Sequence, residues 1–223
     1  MIENYKEIKK WCASREVKLV AISKTQSIEK INALYKAGQR AFGENKVQEM
    51  IMKQCQLPPD YEWHLVGHLQ TNKVKFVAPF VSLIQSVDSL KLLKEIDKHA
   101  ANNQRVQPVL LQIFIADEET KFGLSDGECL KLLQSSELTK LKNISIEGLM
   151  GMATNTLNEK KVAREFRGLK KLFDTIEKKH ETENVKMKTL SMGMSSDYQI
   201  AVEEGSNMVR LGSIIFGERQ KIV

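Results

Sequence analysis

The sequence predicts an α/β fold: one domain over residues 1–223, built as a single (β/α)8 barrel of the TIM type. Three observations predict it. Short apolar, β-branched runs alternate with segments of helical period almost from end to end. No long linker, low-complexity stretch or shift of composition interrupts the series, and 223 residues suffice for one domain with a sizeable core. Residues of the kind that carry chemistry, a lysine, glycines and hydroxyls, fall at the ends of the strands, where such barrels gather their chemistry. Strands joined by helical crossovers must pair in parallel, and an open doubly wound sheet is the alternative architecture.

The elements follow in order. The spacing predicts a helix over 5–14 and a first strand at 17–22, Val17-Lys18-Leu19-Val20-Ala21-Ile22. A helix over 27–37 takes Ser27 as its N-cap and stops at Gly38. Residues 40–43 make a short second strand before a helix at 46–54. Pro58, Pro59 and Asp60 form a turn, and 63–67 is the third strand. A helix over 71–77 leads to a fourth strand at 82–86. The next helix, 88–102, is opened by Asp88 and Ser89. Residues 108–115, Pro-Val-Leu-Leu-Gln-Ile-Phe-Ile, are the strongest strand signal; a helix at 125–136 and a sixth strand at 144–150 follow. In the long helix over 158–180, Val162, Phe166, Leu169, Phe173 and Ile176 recur at intervals of three and four. Lys160, Lys161, Lys170, Lys171, Lys178 and Lys179 mostly fill the gaps, which makes it amphipathic with a charged outer face. A strand at 188–190, a helix near 197–204 and a strand at 208–211 close the series, giving roughly eight βα pairs, enough to close a barrel.

Composition narrows the function classes. A net charge of +6 and a pI near 9.1 would permit nucleic-acid binding, but no arginine-rich tail or interleaved aromatic platform supports it. The same charge suits a lysine-rich solvated surface or a small anionic ligand. No apolar run is long enough to span a bilayer, and the N-terminus does not resemble a secretory signal. The three cysteines, Cys12, Cys55 and Cys129, are far apart, odd in number and form no CxxC pair. A cytoplasmic protein in a reducing compartment is expected, without nucleic-acid or membrane partners. His64 and His68 have the spacing of helical metal ligands, but along a strand four residues span roughly 13 Å, so no metal site is expected. No Walker loop or GxGxxG fingerprint is present.

The strand ends carry the chemistry. The first strand ends Ile22-Ser23-Lys24-Thr25, which sets a lysine where apolar wall meets the mouth. A partly desolvated amine condenses with an aldehyde; the plain alternative is a lysine reaching solvent. The seventh strand runs into Ser191-Met192-Gly193-Met194-Ser195-Ser196-Asp197, and the eighth into Arg210-Leu211-Gly212-Ser213. Loops after strands seven and eight are the recurrent phosphate site of such barrels. Gly212 would let backbone approach a phosphate, and Ser191 and Ser213 would offer hydroxyls; ordinary turn and capping loops are the alternative. Lysine and cup together suit an aromatic aldehyde phosphate. Arg210 either opposes protonation of a pyridine nitrogen or binds the phosphate directly. Lys121 is a second possible cationic contact, or a solvated loop lysine. Asn72 and Lys73 are expected to cap and decorate the following helix. Met150, Met152, Met192 and Met194 are expected to line the mouth.

These residues also carry a family resemblance. Val20-Ala21-Ile22-Ser23-Lys24-Thr25, Phe42-Gly43-Glu44-Asn45-Lys46-Val47-Gln48-Glu49, the run from Trp63 to Lys73, Ser86-Val87-Asp88-Ser89 and Gly148-Leu149-Met150 resemble the YggS/PROSC family. So do Leu190-Ser191-Met192-Gly193-Met194-Ser195 and the run from Val209 to Gly217, in the expected order over roughly 17–219. The resemblance implies a pyridoxal phosphate homeostasis role on a barrel of the alanine racemase N-terminal type, fold-type III without the C-terminal β-domain. It implies that Lys24 holds pyridoxal 5′-phosphate as an internal aldimine and that Asn45 lies near the ring. Ser191, Gly212 and Ser213 would hold phosphate, and Arg210 would face the pyridine nitrogen. Ser213 stands where threonine is common and keeps the hydroxyl. Gln85 stands where histidine is common, and the segment before the first strand is short.

The expected function is a carrier: reversible capture of a reactive aldehyde, storing, protecting and delivering it to recipient apo-enzymes, by a monomer with no catalytic residue. The alternative is a pyridoxal-phosphate-dependent amino-acid racemase. That reaction needs a second acid/base, typically a tyrosine from another domain or subunit. Of Tyr5, Tyr35, Tyr61 and Tyr198, Tyr198 alone is expected near a mouth loop, and the chain is expected to lack the extra β-domain. A class I aldolase, its lysine attacking a sugar phosphate directly, is a third reading.

Overall fold

The computed structural model describes residues 1–117 and 122–217. Lys121, and the far end of the family resemblance at Arg219, lie outside the described residues. The elements are α1 (Ile2–Ala13), β1 (Lys18–Ile22), α2 (Ile28–Lys36), β2 (Ala41–Glu44), α3 (Val47–Gln54) and β3 (Glu62–Leu65). A 3-10 turn, Thr71–Lys73, continues into α4 (Val74–Val77), followed by β4 (Leu83–Val87), α5 (Leu90–Asn102), β5 (Gln107–Ile113) and α6 (Asp126–Leu133). After a second 3-10 turn, Leu138–Lys140, come β6 (Ile144–Gly151), α7 (Glu159–Lys179), β7 (Val185–Ser191), α8 (Tyr198–Glu203), β8 (Met208–Leu211) and α9 (Ser213–Phe216).

The strands pair in parallel in chain order, and β8 returns to β1 to close a barrel. That last ladder, with Lys18 opposite Met208 and Ala21 opposite Leu211, decides against the open sheet. Along β1 the side chains alternate, as a pleated strand requires. Val20 and Ile22 join Ala41, Leu83, Leu110, Met150 and Met208 inside the barrel. Leu19 and Ala21 face outward and pack with Phe42, Leu65, Ile31 and Met50 between strands and helices. The same outer layer takes Val162, Phe166, Leu169, Phe173 and Ile176 of α7, the stripe read from their spacing.

Three expectations shift. Strand seven begins at Val185, ahead of the expected 188, because exposed Lys186 and Lys188 alternate with buried Val185 and Met187 and hide the apolar run. The helix over 71–77 opens as a 3-10 turn holding Asn72 and Lys73. α9, four residues long, is too short to show a period. Met192 is a further correction: it is fully buried in the outer layer, while Met150 and Met152 face the barrel interior.

Candidate functional site

Closure places β1 between β2 and β8, so three of the singled-out strand ends become neighbours. Lys24, two residues past β1, is half-buried; the alternation that turns Val20 and Ile22 inward carries it toward the barrel axis. Asn45 directly follows β2, and Gly212 and Ser213 directly follow β8. The loops approach closely where side chains are missing. A Cβ on Gly212 would stand 3.4 Å from Cβ of Ile22 and 3.5 Å from its carbonyl oxygen. A Cβ on Gly67, past β3, would collide with the carbonyl oxygen of Asn45.

The loop after β7 and the loop after β8 are tied into one cup. Ser195 Oγ accepts the amide N–H of Gly212 at 3.2 Å and of Ile214 at 3.4 Å. Gly193 makes this possible: its φ is +98°, and a Cβ there would lie 2.7 Å from Cβ of Ala201. Asp197 Oδ1 accepts the Met194 amide at 2.6 Å, so the acidic group of the loop is engaged in shaping it. Ser213, exposed, opens α9 beside Gly212. The Gly212 and Ile214 amides converge on one oxygen, Ser195 Oγ, and an anion's oxygen would compete with it for them.

A chain of hydrogen bonds crosses the barrel interior. Arg210, 4% exposed, turns inward from β8. Its Nη1 donates to Ser191 Oγ at 2.7 Å and its Nη2 to the Gly151 carbonyl at 2.9 Å. Ser191 Oγ in turn donates to Gln85 Oε1 at 2.7 Å. Gln85 Nε2 donates to His64 Nδ1 at 2.9 Å and to Met208 Sδ at 3.4 Å. Nδ1 as acceptor puts any ring proton of neutral His64 on Nε2. Burial first, and then the Lys18 charge, push the His64 pKa down to about 3. Burial lowers Arg210 to about 10, opposed by Asp197, so the guanidinium stays charged at neutral pH. The two acceptors bonded to it are neutral, and a buried cation so placed favours the arrival of an electron-rich partner.

The structure thus brings Lys24, Asn45, Gly212 and Ser213 to adjacent strand ends, with Arg210 inside the barrel. Ser191 has another engagement than the expected one. It is 0% exposed at the inward-facing end of β7, with its hydroxyl donated to Gln85 and accepting from Arg210. Ser195, from the same glycine- and serine-rich motif, is the hydroxyl that ties the two loops together. Gln85 and His64 were signalled by polar residues at inward positions of otherwise apolar strands. Gln85, where a histidine is common in the resembling family, keeps a side chain that both donates and accepts.

Elsewhere on the mouth, the His68 ring stacks on Phe122 with centroids 4.3 Å apart, and His68 Nδ1 lies 3.4 Å from Asp88 Oδ2. Among the described residues no group of three or more His, Cys, Asp or Glu could hold a metal ion, and no helix is long and apolar enough to cross a membrane. Burial raises the Cys12 and Cys129 thiols to about 11 and about 12, which makes poor nucleophiles of both.

Comparison with known proteins gives concordant results. The family model of the alanine racemase N-terminal domain matches residues 1–220. A pyridoxal phosphate homeostasis protein of Aquifex aeolicus is 42% identical over 204 residues, 91% of this chain and 87% of that one. The structure of PipY of Synechococcus elongatus without pyridoxal phosphate superposes with a TM-score of 0.90 at 33% identity, covering 97% of this chain and 99% of that chain. The same protein with pyridoxal phosphate bound gives 0.86 at 32% identity, with the same coverage. Alanine racemase of Clostridium difficile shares the fold, with a TM-score of 0.78 at 16% identity; 98% of this chain matches 59% of that one.

Proposed function

The chain belongs to the pyridoxal phosphate homeostasis protein family, on the alanine racemase N-terminal domain, and on that footing we propose that it holds pyridoxal 5′-phosphate covalently on Lys24 and stores, protects and delivers it. The carrying observation is the pairing of two features on strands next to Lys24. One is a cup of amides and hydroxyls closed by Ser195; the other is a buried Arg210 charge bonded to neutral acceptors. An anionic phosphate fits the first, and an unprotonated ring nitrogen fits the second. PipY, similar over nearly its whole length, is known with pyridoxal phosphate bound.

When bound, the cofactor supplies an aldehyde carbon open to amines and an electron-withdrawing ring. Lys24 provides the attaching amine from a half-buried position just past the first strand. Asn45 lies beside the ring. Gly212, Ser213 and Ser195 hold the phosphate, Gly212 by offering backbone without a side chain in the way. Arg210 faces the pyridine nitrogen and, as a permanent cation at neutral pH, keeps a proton off it. Ser191 and Gly151 aim that guanidinium. A ring without that proton withdraws electrons weakly, which favours a carrier over a racemase. Tyr198 packs edge-on against Trp11 at 4.9 Å between centroids. In this reading residues 1–223 act as one domain, a cytoplasmic monomer whose partners are pyridoxal phosphate and recipient apo-enzymes.

The test is the absorption spectrum of the purified protein before and after borohydride, with Lys24→Ala beside it. A visible band that borohydride removes, leaving a phosphopyridoxyl group mapped to Lys24 and absent from Lys24→Ala, is the expected result. A wild-type protein that gains no band on addition of pyridoxal phosphate overturns the reading in favour of an aldolase.

A further inference from the structure

We propose that Lys53, with Glu44 and Glu49, forms a buried clamp that fixes the turn carrying Lys24, so that Lys53 and Glu49 are positioning residues for the reactive amine. This rests on the assignment of Lys24 as the attachment lysine. Lys53 sits in the last turn of α3 and is 6% exposed, a rare condition for lysine. Its Nζ donates to the Ser23 carbonyl, to Glu44 Oε1 and to Glu49 Oε1, each at 2.7 Å, which uses all the donors an ammonium has. Ser23 also gives its hydroxyl to Glu44 Oε1 at 2.6 Å. On the far side of Lys24, the Thr25 amide donates to Glu49 Oε1 at 2.5 Å. The clamp therefore grips the residue before Lys24 and the residue after it.

The backbone shows why a grip is needed. Thr25 has φ +63°, a left-handed conformation that a β-branched residue adopts at a cost. Such a turn persists where its surroundings over-determine it, and the Thr25 N–H on Glu49 supplies that constraint. Ser23, drawn outward to Glu44, leaves Lys24 on the inward side of the chain. Stability alone accounts poorly for the cluster. Glu44 is fully buried, burial raises its carboxyl pKa against the pull of Lys53 and Ser23, and its Oε2 has no hydrogen-bond partner. Buried ion pairs of this kind are commonly replaced by apolar groups without loss of stability, so their use here is better explained by conformational definition.

The experiment uses the full chain as Glu49→Ala, Glu49→Gln and the double variant Lys53→Met, Glu44→Gln, which removes the buried charges together. In the apo-protein, the rate at which acetic anhydride acetylates Lys24 is read by peptide mapping, with exposed Lys91 on α5 as the internal reference. Pyridoxal phosphate is then titrated, with borohydride trapping on Lys24. The expected result is at least a threefold change in Lys24 acetylation relative to Lys91, and at least a tenfold rise in Kd, for Glu49→Ala and the double variant. Glu49→Gln, which keeps an acceptor for the Thr25 amide, recovers most of both, while melting temperatures stay close to wild type. Folded variants whose Lys24 reactivity and Kd match wild type overturn the clamp. If wild type itself fails to load on Lys24, the functional reading falls, and the acetylation arm still decides whether the clamp sets the turn.

Discussion

His64 accepts from Gln85 inside the barrel and is held neutral there, which couples one side chain to the pH dependence of folding. Its folded pKa, about 3, lies below its ordinary 6.5, so an unfolded chain binds the extra proton between those values. The stability His64 provides is fully present above about 6.5 and is lost as pH falls toward 3, by about 1.4 kcal/mol per pH unit in that window. His64→Gln is expected to lose stability less steeply than wild type between pH 6 and 4 in urea unfolding; equal slopes would refute the coupling. That Lys24, Gly212 and Ser213 stand at strand ends was legible from period and residue type alone. Ser191 was legible as a polar residue but not in its engagement, because its acceptor, Gln85, is 106 positions away. Hydrogen-bond partners at that separation leave no local trace.

Among the elements, β6 shows how a glycine shapes the site from a distance. Gly148 has φ +148°, and a Cβ there would collide with the Thr189 carbonyl oxygen. The register of β6 against β7 shifts between Ile146 and Gly148, a bulge that sets the strand end where Gly151 meets Arg210. Gly148→Ala is expected to destabilise the fold by about 3 kcal/mol through strain and collision, measured by denaturant unfolding. A loss under about 0.5 kcal/mol would mean the bulge relaxes freely. The long helix α7 was plain in sequence because a 21-residue element repeats its apolar spacing several times. α9 was not, although its first residue belongs to the cup, because one turn carries no period.

Closure of the barrel gives the ligand its leverage over the entire fold, since β1, β2 and β8 all contribute to the mouth. Pyridoxal phosphate at about 100 times its Kd is expected to stabilise the protein by about 2.7 kcal/mol. For a chain of this length that corresponds to roughly 5–10 °C in melting temperature. Lys24→Ala should retain a smaller rise, because the phosphate cup and the Arg210 charge remain; thermal melts with and without the cofactor measure both. No rise in either protein would remove the cup from the argument. Local period, capping and composition settled the alternation of strand and helix and set Lys24 at a strand end, because these depend on neighbours within a few turns of chain. The return of β8 to β1, the single cup made from the loops after β7 and β8, and the line of contacts from Arg210 to His64 belong to the folded chain. Each joins residues far apart in sequence, such as Ala21 with Leu211 and Ser191 with Gln85, and what unites them is shared packing inside one closed wall.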